Sequence, residues 1–557
     1  MSDSLLQSAN SLLQLGRRPE ALTCYESYLK THPDSAEAWH NHGIALSQMQ
    51  RFPEAVASFD RVLTLRPDSA HTWTSRGNAL LEQKRYEEAI ADYDKALALD
   101  PDYGSARGYR LLAKLWCCDW RNLDTDIAEV SARLRADARV IQPFGNLVIS
   151  RDPADQLQCA RVWARGERTP PPLWRGQRYA HEKIRVAYLS GDFCVHPVSI
   201  LMAGVFEQHD KSRFETTAIS FGPDDGSALR TRVMKSFDRF LDVRGRTDFE
   251  VASLLHGARI DIAVDLMGLT GNSRQGILAF RPAPVQGNYL GFPGTMASPH
   301  MDYILADPIV IPPDAQRHYS EKVVYLPDTY MPSDASRRVS NRTFSRAEVG
   351  LPETGVVFCC FNNSYKFMPE MFSLWMRLLN AVDGSVLWLS QPNDTARRNL
   401  RSEAEKRGVN PDRLVFAPFL SGLDEHLSRL ALADVFLDTL PCNAHTTASD
   451  ALFMGVPVVT TPGPTFAGRV AASLLSAVGL PDLIASSRSA YEDRALELAR
   501  NPEMLRAIRA KLRANRATSP LFDTARFTRH LEAAFAAMRE RQRRGLPPES
   551  FTVASPP

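Results

Sequence analysis

The amino-acid sequence predicts an α + α/β protein in which a solenoid of helix pairs precedes two doubly wound units. Three observations carry this. Small, aromatic and proline positions recur every 34 residues near the start. A proline-rich run then changes the texture of the chain, and after it short β-branched runs alternate with amphipathic helical stretches, twice over. At 557 residues the chain is too long for one core, and three or four domains are expected.

The repeats come first. Glu20-Ala21, Glu54-Ala55 and Glu88-Ala89 keep the step of 34, as do Tyr25, Phe59 and Tyr93, and Leu29, Leu63 and Leu97. Leu12, Leu46 and Leu80 follow it, with Pro33, Pro67 and Pro101, then Trp39 with Trp73 and Gly43 with Gly77. That period belongs to tetratricopeptide helix pairs. Small residues sit where two helices press together, aromatics fill the seam to the next repeat, and proline ends each unit. One pair cannot bury its own apolar face, so neighbours stack into a superhelix with a concave surface. Clear repeats are expected over 3–36, 37–70 and 71–104 within a region 1–120, with an off-pattern helical cap after them. A helical linker follows over 121–180, and its 167–177 run, ERTPPPLWRGQ, is the proline-rich part.

Strand candidates in the next region are 184–189, 216–221, 260–266, 285–290, 303–306 and 323–326. A second series is 356–361, 386–389, 414–419, 435–438, 456–460 and 483–485, with helical stretches such as 371–379, 395–407 and 469–478 between them. Alternation of this kind implies parallel sheets. The lobes are expected at 181–335 and 336–545, joined in the polar stretch 333–345, with a C-terminal helix in the second and a tail over 546–557.

Bulk composition excludes several classes. A formal net charge of +2 gives no electrostatic case for nucleic acid. The start lacks a basic end followed by an apolar core, so no secretion signal is expected. No stretch reaches the roughly 18 apolar residues of a membrane helix. The eight cysteines are scattered without a C-x-x-C, which points to reduced thiols in a cytoplasmic protein. G-x-G-x-x-G, the P-loop pattern and G-x-S-x-G are all missing, against dinucleotide redox, P-loop and serine-hydrolase chemistry. The three D-x-D strings lie in the helical N-terminal part, where exposed helix and turn positions explain them better than a metal does.

Ligands of doubly wound sheets bind beyond the carboxyl ends of the strands. Three loops there hold polar groups in excess of what a turn needs. SGDFCVHPVS places His196 before Pro197, which can start a helix; FNNSYK supplies Asn363 and Lys366; and PCNAHTTASD delivers His445, Thr446 and Thr447 to a helix start. The plain reading of the last is a capping box, Thr447-Ala-Ser-Asp450, which leaves His445 and one hydroxyl unexplained. His426 and Arg429, three apart, share one face of a short helix. Free amides at a helix start, flanking hydroxyls and nearby cations suit phosphate oxygens, so the crowded turn looks built for a diphosphate.

Repeats followed by SGDFCVHPVS, RPAPVQGNYLGFPGTMASPHMDY, FNNSYK, Ser519-Pro-Leu-Phe522 and PCNAHTTASDAL resemble the O-linked N-acetylglucosamine transferase family, as a bacterial member with a short array. The resemblance implies a GT-B fold of two Rossmann-like lobes. It implies an inverting transferase that takes UDP-N-acetylglucosamine, needs no cofactor or metal, and modifies Ser/Thr hydroxyls of cytoplasmic proteins. By the same resemblance, Lys366 pairs with the diphosphate, while Thr446, Thr447 and His445 hold the phosphates and Asp450 meets the ribose. Asn363, Ala417, His426 and Arg429 line the nucleotide pocket, and Gly291 lies near the sugar. His196 matches the proposed general base, with positioning or binding of the acceptor as its alternative role; His256 matches a second histidine near donor and acceptor, of lower rank. Partners would be UDP-N-acetylglucosamine and protein or peptide acceptors at the repeat groove, with no nucleic acid or membrane and with a homodimer left open. Two departures stand out. Leu423 replaces a lysine of the animal members, and the concave asparagine ladder survives only as Asn41, beside Gln7 and Ser75. Competing readings keep the fold with another sugar donor, an asparagine or a small-molecule acceptor, or make the chain a non-catalytic adaptor that binds nucleotide sugar.

Overall fold

A computed structural model describes residues 2–166 and 169–554. The chain forms two compact units, one of residues 1–145 with 393–399, the other of 146–392 with 400–557.

The first unit is built of antiparallel helix pairs: Ser2–Gln14 with Arg18–Leu29, Ala36–Gln48 with Phe52–Leu65, and Ala70–Glu82 with Tyr86–Leu99. The helix Gly104–Trp116 follows, then Leu123–Arg135. Each repeated residue type has a physical task. Ala21, Ala55 and Ala89 are fully buried with Tyr25, Phe59 and Tyr93 in one apolar cluster. Gly43 leaves room for Phe59, whose ring would lie 2.6 Å from an added Cβ, and Gly77 does the same for Tyr93 at 2.7 Å. These aromatics therefore close on the glycine of their own pair, and not only on the seam to the next one. Trp39 and Trp73 donate their indole N–H to the carbonyls of Pro33 and Pro67, each at 2.8 Å, fixing the turn that proline begins. The glutamates pair with Arg17, Arg51 and Arg85 three residues earlier on exposed surface, where solvent screens the attraction.

The second unit holds two parallel sheets. The first contains β1 (Ile184–Ser190), β2 (Phe214–Ser220), β3 (Arg239–Asp242), β4 (Ile262–Asp265), β5 (Val285–Asn288), β6 (Tyr303–Ala306) and β7 (Lys322–Tyr325). The second contains β8 (Val357–Cys360), β9 (Val386–Ser390), β10 (Leu414–Ala417), β11 (Val435–Leu437) and β12 (Val458–Val459). A last strand, β13 (Phe551–Thr552), returns to pair with β7, giving the order β13-β7-β6-β5-β4-β1-β2-β3. The second sheet runs β10-β9-β8-β11-β12. In both, the strand order reverses about the first strand of the lobe, at β1/β4 and at β8/β11, which is where a doubly wound sheet opens its ligand crevice.

Several expectations change. β3 escapes the sequence pattern because it is a partly exposed edge strand, Arg-Phe-Leu-Asp, without an apolar run. The 483–485 candidate is reduced to a single bridge between Thr460 and Ile484. The C-terminal helix, Thr524–Arg543, is expected with the second lobe but packs on the first. Glu532 in it accepts from the Asp210 amide at 2.7 Å and meets His209 Nδ1 at 3.0 Å, and Phe535 lies beside Tyr188. Its apolar face, Phe527, Leu531, Phe535 and Met538, is buried there, and adjacency in sequence says nothing of which lobe offers the matching surface. The supposed tail supplies β13, while 555–557 lie outside the described residues. The 121–180 stretch is no separate linker, since Leu123–Arg135 belongs to the first unit and Pro153–Ala164 to the second. Glu167 and Arg168 of the proline-rich run lie outside the described residues. Further on, Leu173 and Trp174 hydrogen-bond to the carbonyls of Phe280 and Arg281 at 2.8 and 2.9 Å.

Gly43→Ala tests the packing. Alanine gains about 1 kcal/mol in helix propensity, but the clash with Phe59 costs about 1–3 kcal/mol. Faster amide exchange in Ala36–Gln48 and Phe52–Leu65 is the expected outcome; unchanged or slower exchange contradicts it.

Candidate functional site

The site begins with a buried carboxylate. Asp438, directly after β11, accepts the amides of Thr439 and Ala444 at 2.7 and 2.6 Å and the Thr460 hydroxyl at 2.6 Å. Burial pushes its pKa up to about 6, against the pull of these bonds and of Lys366. One side chain thereby fixes the loop from β11 to the helix Thr446–Phe453. Asn443 ties the same loop across, donating its side chain to the Thr439 carbonyl at 2.8 Å and its amide to the Ala467 carbonyl at 2.8 Å.

The loop after β8 locks into this frame. Asn362 donates to Thr439 Oγ1 at 2.8 Å and accepts from Thr447 Oγ1 at 2.6 Å. Four residues on, in a short 3-10 turn, Lys366 donates Nζ to the Asn443 carbonyl at 2.7 Å. Burial opposes the lysine's charge, yet Cys442, Tyr365 and Asp438 hold its pKa above the ordinary range. Asn363 beside it is exposed.

The helix Thr446–Phe453 starts on this platform. Its first internal amide bonds are those of Ala448 and Ser449 to the His445 carbonyl, at 3.1 Å each, so the N-terminal end with Thr446 and Thr447 carries the positive end of the helix dipole. The capping-box reading fails. His445 occupies the cap position without a side-chain capping bond, and Thr447 lies inside the helix, bonded to Asn362. Asp450 turns to Arg337, 2.5 Å away, instead of back to the helix start. His445 Nε2 meets the Ala467 carbonyl at 3.1 Å. Burial, then the Lys366 charge, depress the His445 pKa to about 3, so the ring is neutral with its proton on Nε2.

His426 and Arg429, on the helix Leu423–Leu430, stand against the same rim. Arg429 donates to His426 Nδ1 at 3.2 Å and to the Pro418 carbonyl, and its guanidinium lies over the Phe361 ring at 5.6 Å. Burial lowers both pKa values, with Asp450 opposing for His426. Ala417 ends β10 at this edge and accepts from the Gln391 amide at 3.0 Å.

The first lobe adds two elements. Gly291 presses on the end of β4, where an added Cβ would lie 2.0 Å from the Leu266 carbonyl oxygen, so no other residue fits that approach. Its neighbours Phe292 and Met296 share an apolar cluster with Cys442 and Ala467, which brings the carboxyl-end loops of the two lobes together. His196 caps the helix Pro197–Gln208 after β1, with Asp192 Oδ2 3.4 Å from its Nδ1. The end of β1 touches the loop after β4, since Ser190 Oγ meets Met267 Sδ at 3.6 Å. His256 is not part of this arrangement. It lies in the last turn of Asp248–Gly257, whose following residue Ala258 accepts from Arg185 at the opposite, amino end of β1. Sequence reasoning missed Asn362, Asp438, Thr439, Asn443 and Asp192, although all but Asp438 and Thr439 lie inside the quoted motifs. A cavity of about 690 Å³ lined by Tyr179, Asp302, Met538 and Arg543 lies at that amino edge, away from these groups. Convergent chemistry, not volume, marks the site.

Two parallel lobes with joined carboxyl-end loops and a basic, amide-rich rim define a GT-B glycosyltransferase fold. Residues 171–344 and 335–531 match the model of glycosyl transferase family 41, and tetratricopeptide models match 2–45 and 40–104. The chain belongs to glycosyl transferase family 41. It is 35% identical over 469 residues to the probable UDP-N-acetylglucosamine–peptide N-acetylglucosaminyltransferase SEC of Arabidopsis thaliana, covering 80% of this chain and 48% of that protein. It is 27% identical to the corresponding Caenorhabditis elegans transferase, over 68% of this chain and 43% of that one. The chain thus spans about half the length of these curated relatives or less. A solved mutant of the Thermobaculum terrenum O-GlcNAc transferase superposes with a TM-score of 0.71 at 28% identity, covering 98% of both chains.

The depressed histidine gives a pH test. In the unfolded chain His445 titrates near 6.5, in the folded one near 3, so between these values the unfolded state binds more protons and stability is lost as pH falls. His445→Asn removes that loss. The stability advantage of wild type over the variant, measured by urea unfolding, is expected to shrink below pH 6.5; a constant difference contradicts the assignment.

Proposed function

We propose that the protein transfers N-acetylglucosamine from UDP-N-acetylglucosamine to Ser/Thr hydroxyls of proteins, with inversion at the anomeric carbon and without a metal ion. The observation that carries this is the meeting of the Lys366 ammonium with the positive end of the helix Thr446–Phe453 on one rim. In the reaction the acceptor oxygen bonds to the anomeric carbon as the bond to the β-phosphate oxygen breaks. Negative charge gathers on that oxygen. Lys366 and the first amides of the helix stand where a preorganised site stabilises such charge. A bound diphosphate would offset the Lys366 charge, which adds to burial in keeping His445 neutral.

Across the cleft, His196 is the candidate base for the acceptor hydroxyl, with its pKa lowered by burial against the pull of Asp192. His426, Arg429 and Ala417 provide the wall for the nucleoside. Asp450 is engaged by Arg337, so a ribose hydroxyl would share the carboxylate with that arginine. Protein acceptors at the concave face of the repeats, a cytoplasmic site of action and a homodimer belong to the same proposal. Among the described residues no helix is long and apolar enough to cross a membrane.

A second reading has one observation in its favour. Leu423, exposed at the start of the helix that carries His426, offers no cation where the animal members have lysine, so a different sugar donor or a small acceptor fits the same fold. Mass spectrometry of products formed with competing nucleotide sugars separates the two. Lys366→Ala is expected to lower kcat by about 10²–10³-fold in a labelled-sugar transfer assay while leaving the fold intact. Wild-type turnover in that variant overturns the role of Lys366. Transfer is expected to survive exhaustive chelation with EDTA; loss restored by a divalent cation contradicts the metal-free mechanism. Tight UDP binding without transfer to any protein would favour a nucleotide-sugar-binding adaptor.

A further inference from the structure

The turn that carries His196 is held from several directions. The Asp192 amide donates to Ser190 Oγ at 2.9 Å, and the Asp192 carbonyl accepts from Ser199 Oγ at 2.7 Å. Phe193 is fully buried, and its carbonyl accepts from Arg230 at 2.8 Å. The Val195 amide donates to Asp225 at 2.7 Å. Gly191 and Gly222 approach so closely that a Cβ on Gly222 would lie 1.7 Å from the Gly191 oxygen. Asp192 and His196 therefore project from a fixed frame.

Within it, His196 Nδ1 has two partners that need opposite protonation states. It accepts a hydrogen bond from the Val198 amide at 3.4 Å, and Asp192 Oδ2 lies 3.4 Å away as an ion-pair neighbour. A bare Nδ1 accepts from Val198, which places the ring proton on Nε2 and leaves no lone pair for a base. A protonated Nδ1 donates to Asp192 and leaves Nε2 bare. A bond from a protonated Nδ1 to the carboxylate would be roughly twice as strong as the neutral bond from Val198, which favours turning the ring onto Asp192. The other charges near the turn are engaged elsewhere: Asp224 with Arg230 at 2.9 Å, and Asp225 with Val195 and Ser227.

We propose that Asp192 is a positioning residue that selects the Nδ1-protonated tautomer of His196, so that Nε2 is the free nitrogen able to accept the proton of an acceptor hydroxyl. The kinetic half of this rests on the proposed transferase function; the tautomer does not. Burial lowers the His196 pKa and raises that of Asp192, with their mutual attraction opposing both shifts.

The test compares wild type with Asp192→Ala and Asp192→Glu, using ¹⁵N-labelled histidine. The spectrum of His196→Gln identifies the His196 signals among the thirteen histidines. Wild type is expected to show a bare Nε2. The alanine variant is expected to move the proton to Nε2, and the glutamate variant to restore the wild-type form at least in part. With UDP-N-acetylglucosamine and a peptide acceptor, Asp192→Ala is expected to lose roughly ten- to a hundredfold in kcat with KM for the donor unchanged, a share of what a general base contributes. The acid limb of its pH profile is expected to move to lower pH, because the carboxylate that held the histidine pKa up has gone. A proton on Nε2 in wild type, or a tautomer indifferent to Asp192→Ala, overturns the proposal; the wild-type spectrum alone suffices should the variant fail to fold. A tautomer that changes while kcat does not would uphold the positioning by Asp192 and instead remove His196 as the base.

Discussion

The 2.7 Å bond from Lys366 to the Asn443 carbonyl joins two loops that are 77 residues apart in the chain. An ammonium at that depth is tolerated only where carbonyls and acidic groups surround it, and the loop after β11 is bent to provide them. Asp438 does the bending from below, with both carboxylate oxygens bonded, and Asn362 and Asn443 brace it from the sides. Strand order makes this possible. β8 and β11 are neighbours although β9 and β10 intervene in sequence, so their two following loops emerge side by side with no strand between them. The cation, the helix start and the histidine are thus consequences of one topological reversal.

The first lobe repeats that logic with different contents. β1 and β4 are its reversal point, and the loops after them carry His196 and the Met267-Gly268 turn. Contact between the lobes needs small residues at the join. Gly268 admits Phe292, whose Cβ would lie 2.4 Å from an added Cβ, and Phe292 in turn reaches the cluster that contains Cys442 and Ala467. Hydrogen bonds from Ser473 to Asp307 at 2.6 Å and between Ser333 and Ser449 at 3.1 Å tie the lobes further. The cleft is therefore bounded by packed, hydrogen-bonded walls, and the groups on its two sides are set before any ligand arrives.

Much of this was legible in the residues. The 34-residue step names the helix pairs, and alternation of short apolar runs with amphipathic stretches locates the central strands because these are buried on both faces. What escaped has a common cause. β3 and β13 are short edge strands with partly exposed residues, so burial leaves no pattern in them. Thr447 and Asp450 have the spacing of a capping box, yet Asn362 and Arg337, distant in sequence, outcompete the local bonds. Asp438 and Thr439 resemble the ordinary end of a strand; only folding shows the carboxylate organising a loop. His256 shares a family likeness with the site residues but sits at the wrong end of its helix, a matter of chain direction that a resemblance does not convey. Residues with conspicuous chemistry were easier to find than the residues that position them.

The proposed function turns on the second lobe holding a diphosphate through Lys366 and the start of the helix Thr446–Phe453. A crystal structure of the protein with UDP tests this most directly. The β-phosphate oxygens are expected within hydrogen-bond distance of Lys366 Nζ and of the Thr446 and Thr447 amides. Nucleotide density at the cavity beside Tyr179 and Arg543, or anywhere else remote from those groups, would contradict it.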